Sequence, residues 1–256
     1  TTTTKNTNSH LVKENILFDG FTSNKNGWST TQSSDVKFEI KNGDYFFDHK
    51  RVSGGWSSTI NKYINTSRDF KILADFKKIS GIQNNGYGIV FGRKDSDNQN
   101  LFYINGNGSY TVSRIVDGKT NYLRDWVKSS AIRKGNGSYN VLKIVKNGSK
   151  LEYYINNTKV YTNYSPKFFG DRLGFIVYNK QKISIAYLSV GYLDKNTKTT
   201  TKKTTTNKDD TIIWQDDFTS NKNDWATTSS SKVVLRIMVM VVPLVGKRVT
   251  ITSFLA

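Results

Sequence analysis

Between residues 11 and 195, apolar and polar side chains alternate with a period of two in one run after another. Phe70-Lys-Ile-Leu-Ala-Asp-Phe76, Tyr110-Thr-Val-Ser-Arg-Ile-Val116 and Ile183-Ser-Ile-Ala-Tyr187 are examples. Such alternation puts one set of side chains on a buried face and the other in water, as in a half-buried strand. The runs are separated by Asn42-Gly43, Asp117-Gly118 and Asn147-Gly148, dipeptides that accept positive φ and close tight antiparallel hairpins. No long stretch keeps a helical period. The pattern predicts about a dozen strands, which suits an all-β, antiparallel two-sheet sandwich or jelly roll.

The organisation of the chain follows from a long internal repeat. Ile16-Leu-Phe-Asp-Gly-Phe-Thr-Ser-Asn-Lys-Asn-Gly-Trp28 returns as Ile213-Trp-Gln-Asp-Asp-Phe-Thr-Ser-Asn-Lys-Asn-Asp-Trp225. A period this long marks a tandem array of domains and not a solenoid. Residues 1–10 and 196–210 are Thr/Lys-rich and almost free of apolar side chains, so they read as linkers without the apolar area to offset chain entropy. The expected organisation is a linker over 1–10, a β-sandwich over 11–195, a linker over 196–210, and the start of a second copy over 211–237.

After Ile237 the repeat fails. Where the first copy reads Lys41-Asn-Gly-Asp44, the chain continues Met238-Val-Met-Val-Val-Pro-Leu-Val245. The codons for Met-Val-Met-Val, read in the neighbouring frame, encode an alternation of Asn, Asp, His or Tyr with Gly, which is compatible with Asn42-Gly43-Asp44. Residues 238–256 therefore read as an out-of-frame tail, with an amphipathic or membrane-seeking tail as the alternative.

The formal charge is +18, and residues 11–195 carry most of it, with 28 Lys and Arg against 15 Asp and Glu. A basic domain favours polyanionic partners such as acidic glycan, nucleic acid or an anionic surface. Lys outnumbers Arg by 29 to 9. That balance fits a solvated lysine surface and weighs against nucleic acid, whose readers use Arg forks on bases and phosphates. The absence of cysteine excludes disulfides, thiolate catalysis and Cys-ligated zinc. It leaves the compartment open, and a linker-joined array favours an extracellular or cell-surface setting on a bacterium. No apolar run reaches 18 residues, so no transmembrane segment is expected. Nothing in the sequence indicates an oligomeric state.

The motifs run in a recognisable order: Asp19-Gly-Phe…Asn26-Gly-Trp28, Asp69-Phe-Lys-Ile72, Gly86-Tyr-Gly-Ile-Val-Phe-Gly92, Asp95-Ser-Asp-Asn-Gln-Asn-Leu-Phe-Tyr103, Leu151-Glu-Tyr-Tyr-Ile-Asn156, Phe169-Gly…Leu173-Gly-Phe175 and Ile183–Leu188. This order resembles the concanavalin A-like lectin/glucanase superfamily, near its laminin-G-like and 3-keto-disaccharide-hydrolase-like (DUF1080-type) jelly rolls. The resemblance implies a sandwich with a curved sheet whose concave face often holds sugar. It does not choose among lectin, glycosidase and spacer, all of which use this fold.

Catalysis has little to stand on in the sequence. A glycosidase needs two opposed carboxylates, and the Glu-x-Asp-x-x-Glu strand of the glucanase branch is missing; Glu14, Glu39 and Glu152 are isolated. Glu39 and Glu152 are expected to face solvent on alternating strands. A Ser-His-Asp arrangement would need His49, since His10 lies in a tail, and no nucleophile elbow surrounds any serine. His49 therefore reads as a surface strand residue. The Asn-x-Ser/Thr triplets at Asn65, Asn107, Asn136, Asn147, Asn156 and Asn163 fit chance in so Asn-rich a chain.

Binding has better candidates. Sugar sites stack pyranose rings on flat aromatics and bond hydroxyls with Asn, Asp and Arg. Trp56 follows Gly54-Gly55, and Trp126 follows Arg124-Asp125; both could be platforms or core. Trp28, repeated as Trp225, reads as a plug for the sandwich end. Tyr87, Arg93, Asp95, Asp97, Asn98 and Tyr103 complete the ligand-binding set, and whether Trp56, Trp126 and Tyr87 converge on one exposed face is the observation that would bear on it most. Asp95, Asp97 and Asn98 could offer oxygens to calcium, or form an ordinary Asx-stabilised turn; no other cofactor is expected. The expected function is a non-catalytic sandwich module that binds glycan or serves as an adhesion or spacer unit of a larger repeat protein. A basic polyanion-binding module is the alternative, followed by a glycoside hydrolase-like enzyme.

Overall fold

The computed structural model describes residues 12–60 and 63–193. The expected linkers over 1–10 and 196–210, the expected second copy over 211–237 and the expected tail over 238–256 lie outside the described residues.

Fifteen strands occur among the described residues: β1 (Val12–Asp19), β2 (Thr31–Gln32), β3 (Val36–Lys41), β4 (Asp44–His49), β5 (Gly55–Ile60), β6 (Phe70–Gly81), β7 (Gly86–Arg93), β8 (Gln99–Asn105), β9 (Ser109–Val116), β10 (Lys119–Lys128), β11 (Tyr139–Asn147), β12 (Lys150–Ile155), β13 (Thr158–Asn163), β14 (Arg172–Tyr178) and β15 (Gln181–Leu193). They form two antiparallel sheets. The large sheet has nine strands, ordered β13-β12-β11-β6-β15-β4-β3-β2 with β1 on β15. The small sheet has six, ordered β10-β9-β8-β7-β14-β5. This is the sandwich that the alternation predicts. Two of the three turns form as predicted, with positive φ at Asn42 (52°) and Gly43 (74°), and at Asp117 (49°) and Gly118 (77°), the backbone that two-residue hairpins require. The third falls one residue later, since Asn147 pairs with Lys150 and only Gly148 (58°) takes positive φ.

The core lies between the sheets. Ile72, Ala74 and Phe76 of β6, Leu142 and Ile144 of β11, and Tyr45 and Phe47 of β4 meet Tyr87, Ile89 and Phe91 of β7 and Leu173, Phe175 and Val177 of β14. Burying each large apolar side chain contributes roughly 1.5–3 kcal/mol.

The repeated motif packs into this core. Asp19 is buried, and its Oδ2 accepts hydrogen bonds from the Trp28 indole Nε1 at 2.7 Å and from Asn26 Nδ2 at 2.7 Å. Its Oδ1 accepts from the Phe21 backbone N–H at 2.9 Å. The Asn24 amide accepts from the Trp28 N–H at 2.7 Å and donates to the Trp28 carbonyl at 2.9 Å. The Trp28 ring then stacks on Phe175 at 5.0 Å between centroids. Every polar group in this clasp belongs to a residue that the repeat preserves, which is why those residues recur together.

The outer face of the large sheet places Glu39 and Glu152 in solvent contact, paired with Lys37 at 2.8 Å and Lys159 at 3.1 Å. Lys37 holds the Glu39 carboxyl below its usual range, chiefly through its hydrogen bond. His49 differs from expectation. It continues the inward series Tyr45, Phe47, His49 on β4 and is 1% exposed. Burial pushes its imidazole pKa down, so the ring sits neutral as a core residue.

Candidate functional site

The small sheet turns a second set of side chains away from the core. On β7, β8 and β14 the residues alternate: Tyr87, Phe102 and Val177 point inward, while Val90, Leu101, Tyr103 and Ile176 form a separate apolar cluster outside. Ile115 and Tyr178 pack against that cluster. An outward layer this apolar is unusual on a solvated sheet face, and it underlies an open cleft of about 260 Å3.

The cleft has aromatic walls. The Tyr103 ring meets Trp126 edge-on at 5.2 Å and Tyr178 at 5.5 Å between centroids. Glycines make room for both tyrosines: a Cβ on Gly86 would stand 2.4 Å from the Tyr103 ring, and one on Gly55 would stand 2.6 Å from the Tyr178 ring. Tyr122 lies on the same face, since it pairs with Ser113 of β9 across a ladder whose alternate residues are core. The register of β10 on β9 shifts on either side of Arg124. These irregularities bring Trp126 over the small side chains of β9 to the Tyr103 and Gly86 positions, the re-aiming that bulges commonly provide.

The rim is polar. Asn84, Asn85, Asn179 and Thr120 line the cleft beside the rings. The Asn179 Nδ2 donates to Asn85 Oδ1 at 2.9 Å, which ties the loop after β14 to the loop before β7. Burial, and secondarily Tyr122, pushes the Tyr178 hydroxyl up to about 12. Burial also raises Tyr103, with Tyr178 adding to it. Both phenols are therefore neutral near pH 7. The exposed rings are Tyr122 and Trp126, over a floor in which Tyr103 is 6% exposed. Rings surrounded in this way by amides and hydroxyls are suited to a ligand with alternating C–H and O–H surfaces.

Arg93 stands towards the other end of the same face. Its Nη1 donates to Ser57 Oγ at 2.5 Å. Ser57 is the cross-strand partner of Ile176, so the guanidinium reaches over the outer layer. Arg93, Lys94, Arg172, Tyr63, Gly170 and Asp171 line an open pocket of about 320 Å3.

The expected residues thus separate into five groups, of which Arg93 in the second pocket is one. Tyr103 and Trp126 come together in the cleft. Tyr87 does not join them: it is 1% exposed, and its ring packs on Phe76 at 6.0 Å between centroids, because its place in the alternation faces the core. Trp56, 37% exposed, is also separate; it lies on the edge strand β5 with its ring against Phe38 of the large sheet at 6.4 Å. Trp56, Trp126 and Tyr87 thus do not converge on one exposed face. Asp95, Asp97 and Asn98 form a turn, in which Asp95 Oδ1 accepts from the Asp97 N–H at 3.0 Å and from Asn98 Nδ2 at 3.3 Å. Among the described residues, no group of three or more His, Asp or Glu side chains is placed to hold a metal ion. Tyr122, Tyr178, Asn84, Asn85 and Asn179 were not singled out by the sequence. The signals available were two tyrosines at outward strand positions and an Asn pair before β7.

No family model matches the sequence, and no curated protein matches it. Solved structures do. The β-glucanase of Bacillus licheniformis superposes with a TM-score of 0.52 at 8% identity, over 68% of this chain and 97% of that chain. The carbohydrate-binding module CBM66 from Bacillus subtilis gives a TM-score of 0.41 at 14% identity, over 70% of this chain and 99% of that one. The Emp47p carbohydrate recognition domain gives 0.49 at 14% identity, over 69% and 94%. The domain has the concanavalin A-like jelly-roll fold.

Proposed function

We propose that the domain is a carbohydrate-binding module whose ligand lies in the cleft formed by Tyr103, Tyr122, Trp126 and Tyr178. The observation that carries this reading is the combination of an apolar outer layer, aromatic walls and an amide rim on one sheet face. A pyranose ring would stack its C–H face on the aromatics and exchange hydrogen bonds with Asn84, Asn85, Asn179 and the neutral tyrosine hydroxyls. The lining residues of this cleft are aromatic, amide, hydroxyl, aliphatic and glycine. A retaining or inverting glycosidase would need two carboxylates about 5–9.5 Å apart across the scissile bond, so binding without hydrolysis is the reading we favour. Solved structures with this fold include carbohydrate recognition and binding domains as well as a glucanase, which is consistent with it. In a tandem array the module would hold a larger extracellular protein on a glycan surface, with each copy adding to the avidity of the others.

The test is a glycan array probed with the full chain, followed by incubation of each bound glycan and an assay for new reducing ends. Binding without release of reducing ends supports the reading. Release of reducing ends would make the protein an enzyme, and an empty array would leave a spacer.

A further inference from the structure

At one end of the small sheet, two arginines are set directly against each other. Arg172 of β14 is the cross-strand partner of Arg93 of β7. Like charges in this position destabilise an antiparallel pair, and the neighbouring Lys94 adds a third cation to the same pocket. Asp171 also lines the pocket, and Asp95 lies near Arg93, yet neither forms an ion pair with Arg93, Lys94 or Arg172. The Arg93 Nε is shielded from water without an acceptor. Burial, and then repulsion from Arg172, pushes the Arg93 pKa down. Elsewhere in the pocket, Arg172 Nη2 donates to the Lys94 carbonyl. That bond holds the guanidinium in place and leaves its charge uncompensated. Asp95 offsets this in part from a distance, but a half-buried guanidinium without a contacting counter-charge is costly, and a planar or tetrahedral oxyanion is the group its fork fits.

The pocket and the aromatic cleft share no lining residue, but they lie on one sheet face and the Arg93 side chain spans part of the distance between them. Arg93 bonds Ser57, Ser57 pairs with Ile176, and Tyr178 follows Ile176 by two residues, about 7 Å further along the strand. A chain ligand seated on Tyr178 and Tyr103 would therefore extend to the arginines.

We propose that Arg93, Lys94 and Arg172 form an oxyanion subsite that takes a carboxylate, sulfate or phosphate group carried on the bound glycan, so that the ligand is an acidic polysaccharide. The glycan part of this inference rests on the carbohydrate reading above; the anion chemistry does not.

The full chain, labelled with 15N, is titrated with inorganic sulfate while the arginine Nε–H resonances are followed, with chloride at equal ionic strength as the control. Saturable shifts confined to Arg93 and Arg172 are expected. Lys94→Gln, at an exposed position, should weaken the apparent affinity roughly tenfold, and Arg172→Gln should abolish saturation. Trp126→Ala should leave the sulfate response unchanged. On the array, acidic glycans should outrank neutral glycans of the same backbone, and Arg172→Gln should remove that preference. If Arg172→Gln fails to fold, Lys94→Gln carries the comparison. A linear response to sulfate, or one unchanged in both variants, would overturn the subsite. Array binding confined to neutral glycans would overturn the acidic ligand. Saturable sulfate binding with an empty array would uphold the subsite and remove the carbohydrate reading instead.

Discussion

The indole of Trp126 meets the ring of Tyr103 edge-on, with centroids 5.2 Å apart, across an intervening strand of the small sheet. The contact fixes Tyr103 from above while Gly86 leaves room beneath it. Trp126 itself remains 38% exposed, so one side supports the cleft and another is free to meet a ligand. Trp126→Ala should therefore weaken glycan binding by about 2 kcal/mol, roughly thirtyfold, as removal of a central aromatic anchor does. Calorimetric titration of wild type and variant with the strongest array ligand checks this, with the melting temperature measured alongside to separate binding from folding.

Trp28 is predicted to behave in the opposite way. Its ring is buried, and its Nε1 donates to Asp19 at 2.7 Å. Trp28→Phe keeps much of the apolar packing but leaves the Asp19 carboxylate one donor short, at a cost of about 1–3 kcal/mol. Thermal unfolding should show the loss, while glycan affinity of the folded fraction should stay unchanged.

Alkaline stability should pass through a maximum. Lys78 occupies an inward position on β6, with its Nζ donating to Gln181 Oε1 at 2.8 Å and to the Ile82 carbonyl at 3.1 Å. Burial pushes its pKa down to about 8. The unfolded lysine titrates near 10.4, so between these values the unfolded chain binds more protons and stability rises with pH. Burial lowers Lys71 and Lys143 as well, which adds in the same direction. Tyr45, Tyr87 and Tyr153 are raised by burial. Their contribution is present below the unfolded value of about 10 and is lost above it, as the unfolded chain ionises first. Denaturant melts should thus show stability increasing from about pH 8 towards 10 and declining beyond. Lys78→Met should flatten the rise, whatever its effect on absolute stability.

The Asp95 turn predicts indifference to calcium. Its Oδ1 serves two donors, the Asp97 N–H and the Asn98 side chain. Asp95→Ala should cost about 1 kcal/mol, as loss of a local side-chain-to-backbone bond does. Neither calcium nor a chelator should move the melting temperature of the wild type, and a calcium-dependent rise would restore the metal reading.

The sandwich was legible because alternation and turn chemistry are local. Asn42-Gly43 and Asp117-Gly118 need only their own φ preferences, and the Trp28 clasp closes within ten residues of chain. The cleft is of another kind. Tyr103, Trp126 and Tyr178 belong to β8, β10 and β14, and only sheet order brings them together. Tyr87 and Tyr103 illustrate the limit: both are tyrosines in strong strands, yet one faces the core and the other the cleft. The residue type of His49 suggests exposure, whereas its register with Tyr45 and Phe47 places it inside. Trp56 follows Gly54-Gly55, but Gly55 leaves room for the Tyr178 ring and a Cβ on Gly54 would meet nothing.

The most direct measurement is a map of indole Nε1–H resonances in the full chain during titration with the strongest array ligand. A saturable shift of Trp126 is expected while Trp28 and Trp56 stay in place. A shift of Trp56 with Trp126 unmoved would put the ligand on the sheet edge and contradict the cleft as the binding site.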